Sequence, residues 1–187
     1  SMPKYQLDCW LSDPIIGTHN EKFSGLVGNK YMFSRYGGGN KYDDEFVLHE
    51  IGHLLTVPLE AVADRDFGFS PPSTDLDRAR TCEMELAAIA IECRLSSYFM
   101  GADTLNTIDT IVPPITELED WRSWLEVAGL SHLSGQESQS LLSEYLYSKY
   151  YEFDYSELRY KWECRVAYIR KHIDSVLHPN TEHHLGQ

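Results

Sequence analysis

The sequence predicts a predominantly helical α+β domain with a small N-terminal sheet. Three observations lead there. From residue 43 onward, apolar residues recur at helical spacing almost to the C-terminus. The clearest strand-like run, KYMFS at residues 30–34, lies near the N-terminus. The Pro-, Gly- and Asn-rich stretches between these segments are too short to separate domains. The 187 residues therefore read as one domain spanning 1–187, with no internal repeat or low-complexity block.

Taken in order, the first forty residues are rich in Gly, Asn and aromatics, and Asn29 to Ser34 forms a short strand leading into a flexible RYGGGN segment at 35–40. Asp43 or Asp44 then caps a helix carrying Phe46, Val47, Ile51, Leu54 and Leu55, and Pro58 limits its end. The loop DRDFGFSPPSTD contains Pro71-Pro72, which excludes helix. Thr74 or Asp75 caps a long helix that runs to Gly101. Its Leu86, Ala87, Ile89, Ala90, Ile91 and Cys93 are apolar nearly all round, which places it centrally. Three more helices complete the chain. One opens at TELEDW with Thr116 and Glu119 as a capping box, and a second covers ESQSLLSEYLYSKY. The last has Leu158, Trp162, Val166, Ile169, Ile173 and Leu177 on one stripe and stops before Pro179.

The stretch DDEFVLHEIGHLL, residues 43–55, carries the chemistry. On a helix, His49 and His53 project from one face a turn apart, so both imidazoles can address one cation. Glu50 lies one residue round, within reach of a metal-bound water without being a ligand. This is the H-E-x-x-H arrangement. A helix with one surface and one core histidine is the plainer alternative, but the flanking apolar residues bury this helix. Gly52 costs about 1 kcal/mol in mid-helix, and close approach of another element is one reason to tolerate it.

A third ligand must come from elsewhere, and the apolar helix after residue 75 offers Glu83, Glu85 and Glu92. A carboxylate on such a helix is expensive unless paired or metal-bound. Glu85 and Glu92, seven residues apart, share a face, so Glu85 is the expected ligand and Glu92 the support of a histidine ring from behind. Glu83 lies nearly opposite and is the next choice. Asp66 is a candidate for steadying a ligand histidine through its other ring nitrogen, or else a turn residue before Gly68. Phe67 and Phe69 read as core, Arg35 as a surface arginine, the tyrosines of EYLYSKYYEFDYSELRY as helix packing, and His183-His184 as tail.

HEIGHLL followed by EMELAAIAIECRL resembles the ImmA/IrrE-type zinc metallopeptidases, in which Glu85 falls on the ligand glutamate and Glu92 on a later acid. The proline-terminated apolar end of that motif is missing here. A second resemblance runs further. The chain is similar to elongation factor P hydroxylases, whose HEISHW is followed at the same offset by DFG and an aromatic, matched by Asp66-Phe67-Gly68-Phe69. Asn29-Lys30 with Phe33, Glu85 with Ala90, and Arg165-Val166 match further segments. Leu54 replaces the family's tryptophan, residues 36–40 are extra, and the Lys-Pro step after Glu85 is absent. This resemblance implies a zincin-like fold and a non-haem Fe(II) centre of His49, His53 and Glu85. It also implies hydroxylation of a modified lysine on elongation factor P. The alternatives are a zinc peptidase with Glu50 as general base and a non-catalytic domain stapled by metal.

The net charge of −13 argues against nucleic-acid partners and is compatible with a cationic protein substrate. No run is long enough to span a membrane. The scattered Cys9, Cys82, Cys93 and Cys164 suit thiols in a reducing, cytoplasmic setting. Ser1-Met2 reads as an expression remnant, and nothing at the start resembles a signal peptide.

Overall fold

The computed structural model describes residues 2–37, 46–100 and 105–179. Helix α1 (Met2–Trp10) leads into β1 (Ile16–His19), β2 (Gly25–Val27) and β3 (Lys30–Ser34). Then come α2 (Phe46–Thr56), α3 (Asp75–Met100), α4 (Leu105–Thr116), α5 (Glu119–Val127), α6 (Gly135–Glu152) and α7 (Tyr155–Leu177). β3 is the middle strand, parallel to β1 with Ile16 opposite Tyr31, and antiparallel to β2 with Gly25 opposite Met32. Strand alternation puts Tyr31 and Phe33 on one face, and both are fully buried. The predicted helical α+β class with a small sheet is what the chain adopts.

α3 is central because it serves two cores. Leu86, Ala90 and Cys93 pack with α4, α5 and α6, whereas Ile91, Leu95 and Phe99 join α1, the sheet, α2 and α7. That dual burial is why its apolar residues run round the helix. The tightest crossing is between α2 and α3. A Cβ on Gly52 would stand 2.5 Å from the Ala88 carbonyl oxygen and 3.0 Å from the Ala88 Cα. Only a residue without a side chain lets the two backbones approach so closely. This crossing sets where the faces of α2 and α3 meet.

Several local expectations need correction. Thr116 does not open a helix: it ends α4, its hydroxyl donates to the Pro113 carbonyl at 2.8 Å, and Leu118 precedes α5 without a side-chain cap. Thr116 is still helical in α4, and the N-cap position of α5 falls two residues later, on Leu118. The capping box instead joins Ser134 and Glu137 at the start of α6. Thr74 caps α3 by accepting from the Asp77 amide at 3.1 Å. On α7, Leu177 is 53% exposed at the helix end, while the other five stripe residues are buried. α1 and α4 were not foreseen. Asp43, Asp44, the Gly38–Asn40 stretch, Gly101 and His183-His184 lie outside the described residues. No described helix is long and apolar enough to cross a membrane.

The α2–α3 crossing has a measurable consequence. Helix propensity alone favours Gly52→Ala by about 1 kcal/mol. The clash is with backbone, which no rotamer change relieves, so we expect net destabilisation of roughly 2 kcal/mol in urea unfolding. A more stable Gly52→Ala protein would show that the helices do not touch there.

Candidate metal centre

His49, Glu50 and His53 sit on α2, and Glu85 and Glu92 sit on the facing side of α3. The helical period sets the two imidazoles side by side and perpendicular, at 88°, with Nε2 of His53 3.1 Å from Nε2 of His49. The Gly52 crossing brings Glu85 across from α3. Its Oε2 lies 3.0 Å from His49 Nε2 and its Oε1 3.1 Å from His53 Nε2. Two turns further along α3, Glu92 meets the other face of the same ring, 3.2 Å from His49 Nδ1. A proton on Nδ1 donated to Glu92 leaves the Nε2 lone pair free for a metal.

The donor set fits a divalent cation. One ligand atom from each of His49, His53 and Glu85 falls within 4.8 Å of the others. Ligands about 2.0–2.1 Å from a cation are separated by about 2.9–3.4 Å along an edge of an octahedron or tetrahedron. The closest atoms already have that spacing, so a cation needs only small side-chain adjustments. Two imidazoles and one carboxylate are a donor set shared by zinc and non-haem iron sites. Three protein ligands would leave an ion further coordination positions, and Glu85 has 42% of its side chain exposed.

Glu83, the other candidate ligand, is exposed and accepts a hydrogen bond from the Trp124 indole at 3.2 Å, facing α5. Asp66 lines the cleft without touching either imidazole. Its Oδ1 accepts from the Ser24 amide at 2.9 Å, and its own amide donates to the Ser24 carbonyl at 2.8 Å. His53 Nδ1 is buried with no hydrogen bond to the protein. Asp66 thus ties a turn to the sheet rather than steadying a ring. The turn is unusual: Asp66 and Phe67 both have positive φ, 50° and 58°, ahead of Gly68 at 78°. Left-handed backbone costs about 1–2 kcal/mol at each non-glycine residue, and such strain clusters at functional sites. Here it turns Phe67 and Phe69 onto His53, with ring centroids 5.6 and 4.9 Å away.

The cleft holds about 450 Å³ and is walled by Phe46, Phe67, Phe69 and Pro71, with Lys22 and Ser70 also on its lining. Phe46 stacks on His49 at 5.4 Å. Phe67 is buried, as expected of core, but both Phe67 and Phe69 also border the cleft. Arg35 donates to the Asn20 side chain at 2.6 Å. Among the tyrosines of the C-terminal stretch, Tyr150 is buried and Tyr151 and Tyr160 are largely exposed, none lining this cleft. Ser24 and Tyr31 were missed. The Ser24 hydroxyl accepts from the Ser34 amide at 2.9 Å and hydrogen-bonds the Glu50 carboxyl. Alternation along β3 is the signal that turns Tyr31 inward; its hydroxyl is buried without a hydrogen bond to the protein, and its nearness to Glu50 needs the fold.

Burial is the main force on every one of these groups. It raises the pKa of Glu50, against the pull of both imidazoles and of Ser24. It raises that of Tyr31 as well, reinforced by Glu50 and Asp66. Burial disfavours the charged ring of His49, yet hydrogen bonds to Glu85 and Glu92 outweigh it and lift the pKa to about 10. Burial likewise opposes ionisation of Glu85, which contact with His49 and His53 nonetheless holds well below the usual carboxylate range. Comparison of the chain with models of known families, with curated proteins and with solved structures found no match.

The metal-free protein thus holds a proton on His49 that metal must displace. Because the folded pKa is raised from 6.5 to about 10, this proton stabilises the metal-free fold fully below about pH 6.5, and the contribution is lost as pH rises toward 10. Metal binding has the opposite slope. Zinc affinity should rise about tenfold per pH unit between about pH 7 and 9, with one proton released per ion in calorimetry across buffers. Proton-neutral binding over that range would contradict the assignment.

Proposed function

We propose that this chain is a mononuclear metalloenzyme of zincin-like fold, and specifically a non-haem iron hydroxylase. Its substrate in this reading is a modified lysine side chain of a protein such as elongation factor P, in a cytoplasmic setting. The observation that carries the reading is the convergence of two imidazoles and one carboxylate, from neighbouring helices, at the base of an open cleft. Two histidines and one carboxylate with open positions form the ligand set of Fe(II) oxygenases. Bound iron would supply activation of dioxygen, one atom entering the substrate C–H bond and the other leaving as water with two electrons from an external reductant and two protons from solvent.

The chain's own residues do the rest. His49, His53 and Glu85 would hold the ion, and Glu92 orients His49. Phe46, Phe67, Phe69 and Pro71 wall the cleft so that an alkyl chain displaces water. Glu50, raised toward neutrality by burial, is placed to take or give a proton beside the metal. The acidic balance of the chain favours a substrate that carries positive charge.

A second reading keeps the ligands, puts zinc in place of iron, and makes Glu50 the general base of peptide hydrolysis. The buried Glu50 suits that role too. The 65–69 turn is less favourable to it: Asp66 occupies both the amide and the carbonyl of Ser24 at the start of edge strand β2, removing hydrogen-bonding groups on which an extended peptide would pair. A purely structural metal is disfavoured because such sites have four protein ligands and no open position. Metal analysis separates the readings. Protein purified anaerobically should contain about one iron per chain. Zinc in native preparations, with peptide cleavage lost in Glu50→Gln, would discard the hydroxylase in favour of the peptidase.

A further inference from the structure

Helix α2 ends two residues before a proline. Residue 58 is proline, so no N–H is available to bond the Leu54 carbonyl four residues back, and that carbonyl is fully buried just after the ligand His53. A buried carbonyl without a donor is costly. The donor comes from α7, far along the chain. The Arg165 guanidinium reaches across with Nη1 2.9 Å from the Leu54 oxygen and 2.5 Å from the Val57 oxygen. Arg165 is itself buried on α7 with Leu158, Trp162, Val166 and Ile169, and its guanidinium donates to main-chain carbonyls. Two main-chain carbonyls at the negative end of α2 accept from it, and the charge of Glu60 favours its ionised form.

We propose that Arg165 is a positioning residue for the metal centre, replacing the backbone donor that Pro58 lacks and holding the last turn of α2, and with it His53, at the distance Glu85 requires. His53 sits one residue before Leu54, and its own carbonyl accepts from Val57 at 3.0 Å. Val57 is thus bonded through its amide to His53 and through its carbonyl to Arg165. Loss of the guanidinium leaves the Leu54 and Val57 carbonyls without this donor and only the Val57 amide to tie the turn to His53. Apolar packing on α7 does not supply the same restraint, because it has no donor to offer a carbonyl. The inference rests on the metal site proposed above.

The test is a zinc titration, against a competing chromophoric chelator, of the full chain at one pH. Wild-type protein that binds no zinc removes the site itself and leaves Arg165 nothing to position. Given wild-type binding, Arg165→Met, shown folded by circular dichroism, should bind zinc about tenfold more weakly or worse. Ile173→Val, a core change elsewhere on α7, should keep wild-type affinity. Adding Pro58→Ala to Arg165→Met supplies a backbone N–H at residue 58 with which the last turn can close on the Leu54 carbonyl, and should recover most of the lost affinity. A folded Arg165→Met that binds like wild type overturns the proposal, as does a loss that Pro58→Ala leaves unchanged. If Arg165→Met alone fails to fold, the double variant decides: folded and zinc-binding supports the proposal, unfolded overturns it.

Discussion

The contact between Gly52 and the Ala88 backbone sets the geometry of the whole centre. Ala88 lies between Glu85 and Glu92 on α3, and Gly52 lies between His49 and His53 on α2. Seating one at the other, with no Cβ between, leaves Glu85 opposite both Nε2 atoms and Glu92 behind His49. A wider crossing moves both carboxylates away together, since they ride on one rigid helix. The ligand set is therefore a property of how two helices pack, and α3 is held in place by cores on both its sides.

Around that crossing, neighbouring elements supply restraints that α2 and α3 do not provide themselves. The left-handed turn at Asp66 and Phe67 is pinned to the sheet through Ser24, and it sets two aromatic rings on His53. The same Ser24 hydrogen-bonds Glu50, so the acid beside the two imidazoles and the wall of the cleft share one anchor. Polar groups in such a small enclosed space interact strongly, which is why His49 and Glu85 are displaced so far from their ordinary titration. A divalent ion would replace the shared proton and carry the balancing charge.

Much of this was legible in the sequence, for physical reasons that differ by residue. The spacing of His49 and His53, and that of Glu85 and Glu92, translates directly through the helical period into a shared face. Gly52 in an apolar helix signalled a close neighbour because nothing else about a helix favours glycine. Asp66 was harder: its partner Ser24 is 42 residues away, and a short acidic turn motif serves a ring or a strand equally well. Thr116 misled because a threonine three residues before a glutamate also occurs where one helix ends and another begins. Arg165, an arginine on an apolar stripe, and Pro58, four residues after Leu54, were both visible. What joined them is tertiary.

The account stands most directly on where a cation sits. Crystals of the metal-loaded protein, with diffraction recorded on both sides of the metal's absorption edge, locate it without reference to activity. The account predicts one strong anomalous peak about 2.0–2.2 Å from Nε2 of His49, Nε2 of His53 and a carboxylate oxygen of Glu85. A peak bound elsewhere, or one at the two imidazoles with Glu85 turned away, would contradict it.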